Sequence, residues 1–145
     1  AYCVGIDTRG KLQWGDTEFD GQALLIITDE QCPKAYHDRL TEQGISWIAV
    51  GKEGINLARA MELLTEEFGV ERLAVTGGGH INGAFLEASL LDEISFMVAP
   101  GIDGRSGMAA VFDGIADKSR RATQLRLESI KQMGETVWMR YKPKN

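Results

Sequence analysis

The sequence predicts an α/β fold: a mainly parallel sheet with helices on both faces and an antiparallel hairpin at its C-terminal edge. Three observations carry this. Apolar runs of strand length alternate with helical patterns along residues 2–98, the order that builds a parallel sheet. One run, residues 23–28, is apolar almost throughout, as a strand covered on both faces must be. The last segment changes period. There Val137, Met139 and Tyr141 alternate with Trp138, Arg140 and Lys142, a two-residue repeat.

Taken in order, residues 2–6 read as a short strand, followed by a turn through Thr8, Arg9 and Gly10. After the run at 23–28, Pro33 suits the first turn of a helix that ends near Gln43 and Gly44. Residues 46–50 read as a third strand. Asn56 then caps a helix whose Leu57, Met61, Leu64 and Phe68 share one face. Residues 72–76 read as a strand that feeds a glycine turn. In the helix beyond it, Ile81, Ala84, Phe85 and Ala88 form a buried stripe. A further strand at 94–98 closes in Ala99 and Pro100, and residues 101–121 are glycine-rich with little periodicity. Leu125 and Leu127 alternate with Arg126 and Glu128. That segment and residues 136–141 flank Met133, Gly134 and Glu135, which reads as a hairpin. No repeat or linker interrupts the chain, so residues 1–145 read as one domain.

Composition narrows the function. The 145 residues are 43% hydrophobic and 26% charged, the balance of a globular protein with one core. A formal net charge of −5 argues against a nucleic-acid partner, and Lys118, Arg120 and Arg121 read as a solvated loop. No apolar run has the length of a membrane span, and no signal-peptide pattern opens the chain, so a cytoplasmic location is expected. Cys3 and Cys32 make no disulfide framework. Cys3 reads as buried. Cys32, before Pro33 at a helix start, has a place where a thiol is slightly acidified. His37 and His80 suggest no metal site.

The chemistry concentrates in the glycine run. Gly77, Gly78 and Gly79 join an apolar strand pattern to a helical one. Glycines there let a backbone approach a bulky ligand, and the helix N-terminus offers unpaired N–H groups and a positive dipole end to a phosphate. The alternative is a tight turn with no ligand. The spacing to Gly83 fails the dinucleotide fingerprint G-x-G-x-x-G, and no acidic residue ends the next strand, so a standard NAD-binding Rossmann domain is disfavoured.

The segment from Asn82 to Pro100, with Asp92, Glu93, Ala99 and Pro100 at these spacings after the glycines, closely resembles the reductase domain of the riboflavin-pathway deaminase/reductase family. That domain belongs to the dihydrofolate-reductase-like superfamily. The likeness extends to residues 6–14, 46–54 and 136–141. It implies a dihydrofolate-reductase-like three-layer sandwich whose N-terminal part, with a central strand, is missing ahead of residue 2. It also implies NADPH as cofactor and a pyrimidine or pterin-like small molecule as substrate. By resemblance, Gly77, Gly78, Gly79, His80, Ile81, Asn82, Gly83 and Ala84 wrap the cofactor pyrophosphate through backbone N–H groups. Thr28 touches the cofactor by its hydroxyl, and Val50 and Gly51 form a wall near the adenosine. For Thr28 the alternative is a structural hydrogen bond at a strand end. Lys52 is a candidate for a 2′-phosphate contact.

The family usually has Glu where this chain has Thr76, the candidate substrate-binding position. A threonine hydroxyl brings no charge, which leaves the cradle intact and the substrate open. No catalytic residue is named, because the nicotinamide carries the chemistry in such reductases. A homodimer through the C-terminal strands is expected. The alternative function is a non-catalytic nucleotide-binding or oligomeric protein of the same fold.

Overall fold

The computed structural model describes residues 1–144 as two compact units, the first Ala1–Leu73 and the second starting at Ala74. The first unit contains β1 (Tyr2–Ile6), a two-residue β2 (Glu18–Phe19), β3 (Gln22–Thr28), α1 (Lys34–Glu42), β4 (Ser46–Ala49) and α2 (Leu57–Phe68). Strand β3 runs parallel to β1 on one side, with Tyr2 opposite Ala23 and Ile6 opposite Ile27. It runs parallel to β4 on the other, with Leu25 opposite Ser46 and Thr28 opposite Ala49.

The continuous apolar run of β3 is explained by what covers it. Successive residues of a strand face opposite ways. Leu24 and Ile26 pack with Cys32, Tyr36, Leu40 and Ile45 on the α1 side. Leu25 and Ile27 pack with Ile48, Val50, Ala60 and Leu64 on the α2 side. This unit is therefore three layers: helix, sheet, helix. Each fully buried Leu or Ile contributes about 1.5–3 kcal/mol.

Both helices begin and end for local reasons. Pro33 stands at the N-cap position, one residue ahead of α1 rather than within its first turn. Asn56 caps α2 as expected, its side chain accepting from the Arg59 N–H at 3.0 Å. Past the helix end the Val70 N–H reaches the Leu64 carbonyl at 2.9 Å, which seats Val70 on the same core. Strand β2 escapes the sequence pattern because two residues show no period. It pairs antiparallel with the start of β3 across Asp20 and Gly21, whose φ of 51° and 71° are the positive pair of a type I′ turn.

One expected strand does not form. Residues 72–76 pair with no strand among the described residues. Burial still alternates along them, Leu73 and Val75 half-buried, Ala74 and Thr76 exposed. The side-chain pattern of a strand is present and the ladder that defines one is not, since a sequence pattern reports faces and not partners.

The second unit contains α3 (Gly79–Glu87), β5 (Ile94–Val98), β6 (Leu125–Met133) and β7 (Thr136–Pro143). The hairpin of β6 and β7 turns at Gly134 and Glu135, and β5 lies antiparallel against β7, giving the order β5-β7-β6. The antiparallel strands thus form a three-stranded sheet of their own. A bulge at Glu128 shifts the register between Leu127 and Ser129. Ile94, Phe96 and Val98 share a face with Tyr141, Met139 and Val137, and the Phe96 and Tyr141 rings stack at 5.8 Å. On the other face Trp138 donates to Ser95 Oγ at 2.8 Å, and Arg140 holds Glu93 through two bonds of 2.8 and 2.5 Å. In α3, Gly83 and Phe85 are buried and Ile81 and Ala84 half-buried. Ala88, expected in the buried stripe, is exposed because it forms the C-cap. Among the described residues no helix is long and apolar enough to cross a membrane.

Candidate cofactor-binding site

Ligands in open α/β sheets bind beyond the carboxyl ends of the strands. In the first unit those ends bring together Asp7, Thr28, Asp29, Glu30, Val50 and Gly51. Thr28 is fully buried, and its hydroxyl is already used. Oγ1 shares a hydrogen bond with His37 Nε2 at 2.9 Å and donates to the Ile48 carbonyl at 3.4 Å. His37 stacks on Trp47 at 4.1 Å, and burial holds its pKa below the ordinary 6.5 against the opposing charge of Asp38. The Thr28 hydroxyl thus anchors the strand end to α1. The Val50 side chain is 4% exposed and lies in the core beneath α2, which leaves its backbone at the strand end. Its backbone N–H donates to the Thr28 carbonyl at 3.0 Å.

Gly51 stays at this strand end because the chain turns tightly there. A Cβ on it would meet the Gly54 carbonyl oxygen and would stand 2.7 Å from the Asn56 nitrogen. Glu30 holds Gly51 from both sides. Its carboxylate accepts from the Gly51 N–H at 3.2 Å, and its own N–H donates to the Gly51 carbonyl at 2.8 Å. Gln31 adds a bond from its side-chain amide to the Lys52 carbonyl. No pattern in the sequence distinguishes Glu30 from any solvated acid, so its role was not readable there. Lys52 is exposed.

Asp7 closes the adjacent turn, accepting from the N–H groups of Lys11 at 3.0 Å and Leu12 at 2.8 Å. Burial pushes its carboxyl pKa up. The hydrogen bonds from Leu12, Lys11, Tyr36 and Gly10 outweigh burial and hold it below the usual range. Tyr36, which accepts from Trp14 Nε1 at 2.7 Å, is pushed up to about 12, chiefly by burial. Cys32 departs from the expected acidification. Burial and the negative charges of Asp7 and Asp29 raise its thiol, so it stays protonated.

The glycine turn lies in the second unit. Gly77 has φ +97°, open to glycine and strained for other residues, and the Gly77–Gly78 peptide is cis. Gly78 stands at the N-cap of α3 with φ −69°, and a Cβ there would find open space to 4 Å. The N–H of Asn82 closes the first turn on the Gly78 carbonyl at 3.0 Å. The N–H groups of Gly79, His80 and Ile81 meet no acceptor among the described residues. Three free donors at the positive end of a helix, before an open Gly78, make a cradle for an anion. Thr76, just ahead of it, is exposed.

The other glycines of the run serve a different purpose. A Cβ on Gly79 would meet the Ala110 carbonyl oxygen, and one on Gly83 the Asp113 carbonyl oxygen. Residues 110–114 cross this face of α3, with the Asp113 N–H on the Gly79 carbonyl at 2.9 Å and Asn82 Nδ2 on the Val111 carbonyl at 2.8 Å. The His80 ring packs against Gly114, and Ala84 is half-buried. The aperiodic stretch 101–121 gave no sign of this packing.

Comparison with known proteins gives the family and the fold. Residues 6–139 match the family described as the RibD C-terminal domain. The chain is 28% identical to the riboflavin biosynthesis protein RibD of Bacillus amyloliquefaciens over 109 residues, 74% of this chain and 29% of the relative. It is 30% identical to the 2,5-diamino-6-ribosylamino-4(3H)-pyrimidinone 5′-phosphate reductase of Aquifex aeolicus over 106 residues, 72% of this chain and 47% of the relative. The chain thus spans under half the length of these curated relatives. Among solved structures, Acinetobacter baumannii RibD superposes with a TM-score of 0.77 at 19% identity, over 97% of this chain and 37% of that one. A pyrimidine reductase-like protein from Corynebacterium diphtheriae gives 0.78 at 17%, over 99% and 61%. These likenesses establish a RibD-like, dihydrofolate-reductase-like α/β fold, and by the match across residues 6–139 the chain belongs to the RibD C-terminal domain family.

Proposed function

We propose that this chain is the core of an NADPH-dependent reductase acting on a ribosylamino-pyrimidinone phosphate of riboflavin biosynthesis. The observation that carries the proposal is the glycine turn: an open Gly78 and the three unpaired N–H groups of Gly79, His80 and Ile81, in a chain of this family. A pyrophosphate fits that donor set, and an anion at a helix N-terminus gains about 0.3–1 kcal/mol from the dipole alone. Backbone groups from Gly77 to Ala84 would hold the cofactor phosphates. Within the first unit, the backbone at the strand ends Thr28, Val50 and Gly51 is the proposed wall for an adenosine, and exposed Lys52 is the proposed 2′-phosphate contact. When bound, the nicotinamide supplies the hydride, and the protein's part is to orient donor and acceptor.

Thr76 would face the pyrimidine substrate, offering a hydroxyl that donates or accepts. Its lack of charge favours one second reading, a nucleotide-binding protein of this fold without catalysis. The match across residues 6–139 runs through both compact units, which supports reading residues 1–145 as one domain. A cytoplasmic homodimer completes the proposal. Leu127 and Ile130, on one face of β6, are 50% and 60% exposed, apolar surface that a second copy would cover.

Titration of the full chain with NADPH and NADH, read by fluorescence, tests the cofactor. Saturable, NADPH-selective binding followed by substrate-dependent oxidation is the expected result. Binding without oxidation of any ribosylamino-pyrimidinone selects the second reading, and no binding to either nucleotide removes both.

A further inference from the structure

We infer that Asn82 is a positioning residue: its side chain clamps residues 110–114 onto the first turn of α3 and so fixes the glycine turn, an inference that rests on the cofactor reading for its functional consequence. The Asn82 carboxamide bonds residue 111 and stands over the open side of Gly77. Nδ2 donates to the Val111 carbonyl at 2.8 Å, and it lies 3.4 Å from where a Cβ on Gly77 would stand. A carbonyl oxygen only accepts, which assigns the NH2 group to the side facing Val111.

Residues 110–114 are seated rather than draped. The Asp113 N–H bonds the Gly79 carbonyl, Gly79 and Gly83 carry no side chain where the Ala110 and Asp113 carbonyls stand, and Gly114 meets the His80 ring. This strap takes the carbonyl of Gly79 and leaves the N–H groups of Gly79, His80 and Ile81 free. It supports the turn from behind without competing for the donors that a phosphate needs. Asn82 contributes to the cradle by holding that support, and its side chain is not itself a phosphate ligand.

Hydrogen exchange followed by mass spectrometry on the ligand-free full chain tests the clamp, with NADPH titration beside it. Asn82→Ala removes the donor, and Asn82→Gln keeps an NH2 group. The expected result is exchange faster by about three- to tenfold, the worth of one hydrogen bond, in residues 110–114 and in 82–84, where the residue-82 N–H closes the turn on the Gly78 carbonyl, together. NADPH affinity falls by a similar factor, β6 and β7 exchange as before, and Asn82→Gln recovers part of both effects. The inference is overturned if 82–84 exchange is unchanged, if 110–114 does not respond, or if exchange rises uniformly and Gln behaves as Ala. Should Asn82→Ala not fold, Gly83→Ala displaces the Asp113 carbonyl while leaving Asn82 in place, and the same two segments should loosen. If the unaltered chain binds no NADPH, the cofactor reading falls, and the exchange pattern still decides the clamp.

Discussion

Adjacent glycines at 78 and 79 should respond in opposite ways to one methyl group. Gly78 has an ordinary φ of −69°, and a Cβ there meets nothing within 4 Å. Gly78→Ala gains about 0.4–1 kcal/mol by restricting the unfolded chain. It loses a similar amount, roughly 0.5–1 kcal/mol, because alanine is a poorer N-cap than glycine. Stability should stay within about 1 kcal/mol of the original. The methyl would still fill the open approach to the three free N–H groups, and NADPH affinity should fall about ten- to a hundredfold, or roughly 1.4–2.8 kcal/mol. Gly79→Ala places its Cβ against the Ala110 carbonyl oxygen and 3.3 Å from the Asp113 Cβ. Relief requires residues 110–113 to move, straining the 2.9 Å bond from the Asp113 N–H to the Gly79 carbonyl. Overpacking of this kind costs about 1–3 kcal/mol, and a lost hydrogen bond adds about 0.5–1.5. At roughly 3 °C per kcal/mol for a chain of this size, the melting temperature should drop by about 5–13 °C. Thermal unfolding and NADPH titration of both variants are the assay. Full affinity in Gly78→Ala would refute the phosphate approach, and an unchanged melting temperature in Gly79→Ala would refute the packing account.

Asp7→Asn should cost about 1.5–3 kcal/mol at pH 7, since the carboxylate accepts two backbone N–H groups that an amide serves poorly. The folded pKa of Asp7 lies below its ordinary 3.8, so this stability is present above that value and is lost as pH falls through the folded pKa. Urea unfolding at neutral and strongly acidic pH should show the gap between variant and parent closing in acid, and a constant gap contradicts it. Leu64→Ala, in the core beneath α2, should cost about 2–5 kcal/mol and leave the secondary-structure signal intact; a loss under 1 kcal/mol in urea unfolding would mean α2 is not packed on β3. Thr76→Glu, at an exposed position, should shift KM for the pyrimidine substrate and leave the NADPH dissociation constant unchanged; a shift in the latter would move Thr76 into the cofactor site. Ile130→Glu should convert a dimer to a monomer in sedimentation, and a monomeric parent chain removes the dimer proposal.

The parts of the fold visible in the sequence are those fixed by which side chain faces where. The buried run of β3, the Asn56 cap and the alternation along β7 are local statements, and each element follows. What the sequence hides depends on partners distant in the chain. Residues 72–76 have the alternation of a strand and no ladder. Strand β2 is too short to show a period, although Asp20 and Gly21 are the turn pair that announces it. In the candidate site, the glycine turn and its helix N-terminus are legible because a glycine run before a helix is a local signal. At Thr28 and Val50 the sequence shows a strand end and hides that His37 and the α2 core occupy the side chains. Glu30 and residues 110–114 went unseen for the converse reason: their partners, Gly51 and α3, are 21 and about 30 residues away, and neither carries a mark of its own.

The glycine run itself shows why motif and mechanism separate. Read as a string, Gly77, Gly78, Gly79 and Gly83 form one signal. In three dimensions they answer three demands: a positive φ at Gly77, open approach at Gly78, and close backbone packing at Gly79 and Gly83. Only the first two concern a ligand directly. The other two extend the motif past the cradle because the strap behind α3 must lie close, and Asn82 sits between them where its side chain can fasten it. A protein could therefore keep all four glycines and lose cofactor binding, provided the packing demand persisted. The reverse does not follow, since relaxing the strap would release Gly79 and Gly83 and also loosen the turn that presents the three N–H donors. The motif reports a folded turn first, and a candidate anion site through the groups that the turn leaves unpaired.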